Sequence, residues 1–175
     1  MAKQPPDNVD QILAQWRRER PDLNVRALGL FGRLFRAVEL ANARLTRDLA
    51  RHGLQPGWFD LLAALRRAGA PYELNPTQLM HTTMLSSGGM TKRLDRMAEA
   101  GLLERRPDPA DRRGTLARLT RRGKSVIDRA IETHVANEDE LLRSLTAADR
   151  RVLDDLLRSL LSELERGGPT GDRAS

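Results

Sequence analysis

The chain has 175 residues, of which 39% are hydrophobic and 31% charged, with six aromatics, no cysteine and a net charge of +6. The length suits one domain with added helices, and the missing cysteine excludes disulfides, thiolate metal sites and thiol switches. No apolar run reaches the roughly 18 residues of a membrane span, and "MAKQPPDNVDQ" has no apolar leader segment, so a soluble cytoplasmic protein is expected.

Leu, Ala, Arg and Glu dominate, which predicts a mostly helical fold. In chain order, Val9, Ile12, Leu13 and Trp16 recur at helical spacing over 7–20, with Asp7 to cap that helix and Pro21 to end it. A long helix over 24–51 carries Leu28, Phe31, Phe35, Val38, Leu45 and Leu49 on one side. Gly53 and Pro56 stop it. A third helix, 57–68, points Phe59, Leu62 and Leu65 inward. "NPTQLM" then opens a short helix at 76–84, with Asn75 as N-cap, Pro76 at the first position and Gln78 completing a capping box. "LSSG" interrupts, and a second helix follows from about 87 to 100, closed by Gly101. A short helix, a tight break and a basic helix make a helix-turn-helix pattern.

The next segment is not helical. "LLERR" (102–106) and "TLARL" (115–119) predict two strands, and "PDPADRRG" predicts an eight-residue hairpin tip. Such a hairpin after a helix-turn-helix is a wing. Thr120 caps a helix over about 121–144, with Val126, Ala130 and Ile131 apolar. Thr146 caps a last helix with a stripe of Leu153, Leu156, Leu157, Leu160, Leu161 and Leu164, and 165–175 reads as a disordered tail. The domain plan is therefore 1–51 as N-terminal helices, 57–119 as the winged helix-turn-helix and 120–164 as C-terminal helices. The apolar stripes of the terminal helices exceed what the winged unit can cover, so an intertwined homodimer is expected.

Charge is concentrated where the motifs are. Residues 76–129 hold twelve Lys and Arg against six Asp and Glu, while the other residues hold eighteen of each. A confined basic excess suits a polyanion such as nucleic acid. In "LSSGGMTKRLDRMAEAGLL", Met90, Leu94, Met97 and Ala98 are set to face inward. Ser86 and Ser87 offer hydroxyl donors, and Gly88 and Gly89 clear the way for a phosphate at the helix start. Thr91, Lys92, Arg93 and Arg96 follow on the helix, the residue types that read or grip a major groove. Arg112 and Arg113 at the hairpin tip suit a narrow minor groove, and Arg105, Arg106, Arg118, Arg121 and Arg122 either touch phosphates or pair with acids.

These residues carry a family likeness. The stretch Ser86 to Thr91, the strand entry Ala100 to Leu103, the wing Asp111 to Gly114 and the helix start Leu119 to Gly123 closely resemble the MarR family of winged helix-turn-helix transcription regulators. The likeness extends over about 24–164. It implies a homodimer on an inverted repeat of double-stranded DNA, with one recognition helix per major groove and Arg113 entering the flanking minor groove. The added N-terminal "QWRRERPDL" resembles the extra helix of the urate-responsive members. That resemblance implies an effector site at Trp16, Asp60, Arg67 and Arg106, with the neighbouring Arg105 as the alternative to Arg106, for a small aromatic anion, urate-like or phenolic. No cofactor is required by this reading.

Other chemistries find little support. "GGMTKR" lacks the ending of a phosphate-binding loop, His52, His81 and His134 are scattered as surface or helix-end residues, and no His or Asp context activates Ser86 or Ser87. The reading is a DNA-binding regulator, not an enzyme. The competing class is a helical protein-interaction module whose winged fold does not bind DNA.

Overall fold

The computed structural model describes residues 5–83 and 89–167; the side chains of Arg112 and Arg113 lie outside that description. Ser86, Ser87 and Gly88 are therefore outside the described residues, as are 168–175. The elements run α1 (Asn8–Glu19), α2 (Arg26–Ala50), α3 (Trp58–Arg67), β1 (Glu73–Leu74), α4 (Pro76–Thr82), α5 (Met90–Glu99), β2 (Leu103–Asp108), β3 (Asp111–Leu119), α6 (Arg121–Leu141) and α7 (Ala147–Arg166). The fold is mostly helical with one small antiparallel sheet in the order β1-β3-β2. The chain divides into two compact units at His134.

The expected caps form. Asp7 with Asp10, Asn75 with Gln78 and Thr146 with Asp149 are each reciprocal capping boxes. Thr120 Oγ1 accepts from the Gly123 amide and donates to the Gly101 carbonyl, so one hydroxyl caps α6 and ties it to the end of α5. Gly123 has a steric reason to be glycine: a Cβ there would lie 1.8 Å from the Leu102 carbonyl oxygen.

In the first unit the core gathers on α3. Leu61, Leu62 and Leu65 meet Leu79 of α4, Leu94 and Met97 of α5, Leu103 of β2 and Ile127 of α6, all fully buried. Complete burial of each such side chain is worth about 1.5–3 kcal/mol. A separate small cluster of Val9, Leu13 and Val25 seats α1 on α2. Gly29 and Gly32 allow that approach, since Cβ atoms there would meet Leu13 and Val9 at 2.8 and 3.3 Å. Arg33 adds a clamp, donating to Asp7 and Asp10 at 2.7–3.1 Å. The second unit differs: α7 buries no residue at all.

Several expectations need correction. The hairpin tip is not eight residues, because β2 runs to Asp108 and β3 begins at Asp111. β2 is an edge strand, which tolerates Pro107 within it, and the register shifts between Pro107 and Asp108. Gly114 fits that irregularity, since a Cβ would stand 3.0 Å from Asp108 and Asp111. Strand β1 adds a third strand that two residues are too few to signal by a period-2 pattern. α5 begins at Met90 rather than near 87, α6 ends at Leu141 rather than 144, and α7 continues through Arg166 into the stretch read as tail. His52 and His134 are not plain surface residues: His52 Nε2 bonds Thr133 Oγ1 at 2.9 Å, and His134 packs on Phe59 with ring centroids 4.3 Å apart. No group of three or more metal-ligating side chains occurs among the described residues, and no described helix is long and apolar enough to cross a membrane.

Candidate nucleic-acid interface

α4 and α5 are the two helices of the helix-turn-helix. α4 is fixed by its capping box and by Leu79, which is fully buried. α5 is preceded by its N-cap Gly89, whose φ of 80° lies in the left-handed region and whose Cβ position meets none of the described residues within 4 Å. That backbone conformation by itself favours glycine there. Among the described residues no side chain caps α5. Its first N–H groups carry the positive end of the helix dipole.

The periodicity of α5 sorts its side chains. Met90, Leu94 and Met97 are buried against the core, and Ala98 packs beside them. Gly89, Thr91, Lys92, Asp95 and Arg96 are exposed on the other side. Arg93 is half-buried on the flank, in a cleft shared with Gln55, Pro56, Trp58, Lys92 and Arg96. The sequence reading missed Gln55, Pro56 and Trp58 as neighbours of this face, because the turn before α3 is over thirty residues away in the chain.

The sheet decides the fate of the other arginines. Period-2 alternation puts Leu103 and Arg105 on one side of β2 and Glu104 and Arg106 on the other. Leu103 is buried, and Arg105 turns toward α5, 3.3 Å from Asp95 Oδ1 and 2.8 Å from Thr115 Oγ1. Arg106 is half-exposed, 4.0 Å from Glu104. Arg118 lies between Glu73 and Glu104 at 4.0 and 3.8 Å and donates to the Pro71 carbonyl. Arg105, Arg106 and Arg118 thus each stand within 4.0 Å of an acid, while Arg121 and Arg122 are exposed at the start of α6. Beside the wing base, Asp128 is held below the ordinary carboxylate range by hydrogen bonds from Lys124 and Arg66. Both cations also stand over the Tyr72 ring, at 5.8 and 5.2 Å. Arg112 and Arg113 follow Asp111 in β3, beside a tip closed by the Ala110 amide donating to Asp108.

The four residues expected to hold an effector occupy different elements. Trp16 is 42% exposed on α1. Asp60 is exposed on α3 and lines a hollow with Asn42, Thr46, Leu49, Phe59 and His134. Arg67 donates to the Thr82 carbonyl at 3.0 Å, which ties α3 to the end of α4. Arg106 points outward from β2 beside Glu104. No hydrogen bond or ion pair is seen among the four.

The sequence and the fold are both similar to those of known proteins. Residues 52–114 match the MarR family. The chain is 38% identical over 158 residues to the HTH-type transcriptional regulator PecS of Dickeya dadantii, covering 90% of this chain and 93% of that one. The chain belongs to the MarR family. Among solved structures, a mutant MarR from E. coli complexed with operator DNA superposes with a TM-score of 0.67 and 26% identity, over 83% of this chain and 97% of that one. The organohalide-sensing regulator RdhR in its 2,4-dichlorophenol-bound form shares the fold, with a TM-score of 0.74 and 17% identity over 98% and 93% of the two chains. This MarR-family member is a DNA-binding transcriptional regulator.

Proposed function

We propose that this regulator is a homodimeric repressor that binds an inverted-repeat operator and is released by a small aromatic anion. The carrying observation is the sorting of α5, with Met90, Leu94 and Met97 buried while Thr91, Lys92 and Arg96 are exposed beside the wing. In this reading α5 enters the major groove, where Lys92 and Arg96 meet guanine edges and Thr91 a thymine methyl. Ser86, Ser87, Gly88 and Gly89 approach the phosphate backbone, Arg93 grips it from the flank, and Arg112 and Arg113 enter the minor groove.

The uncovered apolar faces support the dimer. Leu153, Leu156, Leu157, Leu161 and Leu164 of α7 are exposed, as are Leu28, Phe31, Phe35 and Val38 of α2. Each of these apolar faces, taken by itself, is of the kind that marks an association surface. Two copies then present two recognition helices about 34–36 Å apart, one turn of duplex.

The effector reading places Trp16 for stacking and Arg67 and Arg106 for pairing with an anion, with Asp60 at the hollow beside α3. The resemblance of the N-terminal segment to urate-responsive members supports urate-like ligands, and the dichlorophenol bound by RdhR supports phenolic ones. Calorimetric titration with urate and with 2,4-dichlorophenol, repeated by gel shift, tests it. Heat of binding together with DNA release supports the effector role; neither ligand giving heat or release refutes it.

A further inference from the structure

We infer that Arg105 is a positioning residue for operator recognition, acting through Asp95 rather than on DNA itself. This rests on the reading of α5 as the helix that enters the major groove. That helix carries an apparent defect. Asp95 is exposed one turn beyond Thr91 and Lys92, on the face offered to a polyanion. A bare carboxylate there repels phosphate, and a helix that must sit deep in the groove cannot turn it away.

Arg105 answers this from the wing. Its guanidinium lies 3.3 Å from Asp95 Oδ1 and donates to Thr115 Oγ1 at 2.8 Å. One planar group therefore joins three elements: α5 through Asp95, β2 through its own backbone and β3 through Thr115. The register explains why this residue does so. Arg105 pairs with Ala117 in the ladder, and Ala117 is buried, so the side of the sheet that carries both faces the helices. Arg106, one residue on, faces the other way.

The tie adds little to folding. Arg105 is 26% exposed and Asp95 54%, and pairs of that kind contribute little net stability. What it does set is the charge of the α5 face and the offset between α5 and the wing. Those two elements grip adjacent grooves of one duplex, so their offset must be held for both to engage.

A double-mutant cycle on the full chain tests this. Wild type, Arg105→Ala, Asp95→Asn and the double variant are titrated, by fluorescence anisotropy, against a duplex selected from a random pool by the wild-type protein. Salt dependence and melting temperature are measured for each. The expected result is a loss of roughly tenfold in affinity for Arg105→Ala and a loss under roughly threefold for the same change in the Asp95→Asn background. The melting temperature and the salt slope stay unchanged. Equal losses in both backgrounds, with the salt slope reduced by about one, mean that Arg105 grips a phosphate directly and overturn the proposal. A loss that follows the melting temperature assigns Arg105 to the fold alone and also overturns it. Selection of no duplex by wild type fells the operator-binding reading and this proposal together, whereas normal wild-type binding with either contrary pattern fells only this proposal.

Discussion

The winged unit and the C-terminal helix treat leucine in opposite ways. On α3 and α5, Leu61, Leu62, Leu65 and Leu94 have no exposed surface, whereas Leu156 on α7 is 64% exposed and no α7 residue is buried. Both stretches have the same amphipathic pattern in sequence. The difference is that the winged unit closes its core within one chain, while α7 carries an apolar stripe that its own compact unit leaves open. The contrast teaches that amphipathicity fixes that a face will be covered, not by which chain.

Substitutions that strike one region and not the other break or sharpen this contrast. The largest effect is expected at Gly123→Ala, which drives a Cβ into the Leu102 carbonyl at 1.8 Å. The close packing of α6 on the end of α5 must then open, and circular dichroism is expected to show loss of cooperative melting; a normal melt would contradict the packing account. Leu94→Ala comes next, with a cost of about 2–5 kcal/mol in denaturant unfolding, because the cavity it leaves is fully enclosed. Leu156→Glu is expected to leave the winged unit folded and to halve the mass in light scattering. If Leu156→Glu unfolds the chain without changing the mass of what stays folded, α7 is core and not an association surface.

Smaller effects are expected on the DNA face. Lys92→Ala and Arg96→Ala each cost about 1–3 kcal/mol of operator affinity if that side chain reads a base, with melting unchanged. Arg113→Ala weakens binding broadly through the minor groove. Unchanged gel-shift affinity for all three variants refutes the docking geometry.

The smallest effect concerns α1. Asp10 is held below the ordinary carboxylate value by the backbone hydrogen bond from Asp7 and by Arg33. A depressed carboxylate stabilises the fold above its unfolded value near 3.9 and loses that contribution as pH falls through the lower folded value. Acid below about pH 4 should therefore loosen α1 from α2, read as a change in Trp16 fluorescence. Arg33→Ala should shrink that acid step without abolishing it, because the Asp7 backbone hydrogen bond to Asp10 remains, and an unchanged step would assign it to other carboxylates.

Much of this architecture was legible because it rests on local rules. The capping residues Asp7, Asn75, Thr120 and Thr146 each sit three residues before the group they bond. The α5 period placed Met90, Leu94 and Met97 inward, as found. What sequence could not show depends on pairing between distant segments. Strand β1 exists only because Glu73 and Leu74 lie against Arg118 and Ala117. The short wing tip follows from the register of β2 on β3, which Pro107 and the apparent turn residues concealed. At the interface, the exposed basic residues of α5 were readable, but the tie from Arg105 to Asp95 and Thr115 was not. The effector residues Trp16, Asp60, Arg67 and Arg106 lie on three elements, so no local spacing links all of them, and only a resemblance names them.

Two copies of this chain are expected to grip one duplex through paired α5 helices and wings. A footprint on the DNA beside its own gene tests that most directly. The account predicts a protected inverted repeat whose half-site centres lie about 34–36 Å apart, with protection weakening steeply as salt rises. Absence of protection at low salt, or a single asymmetric site, would contradict it.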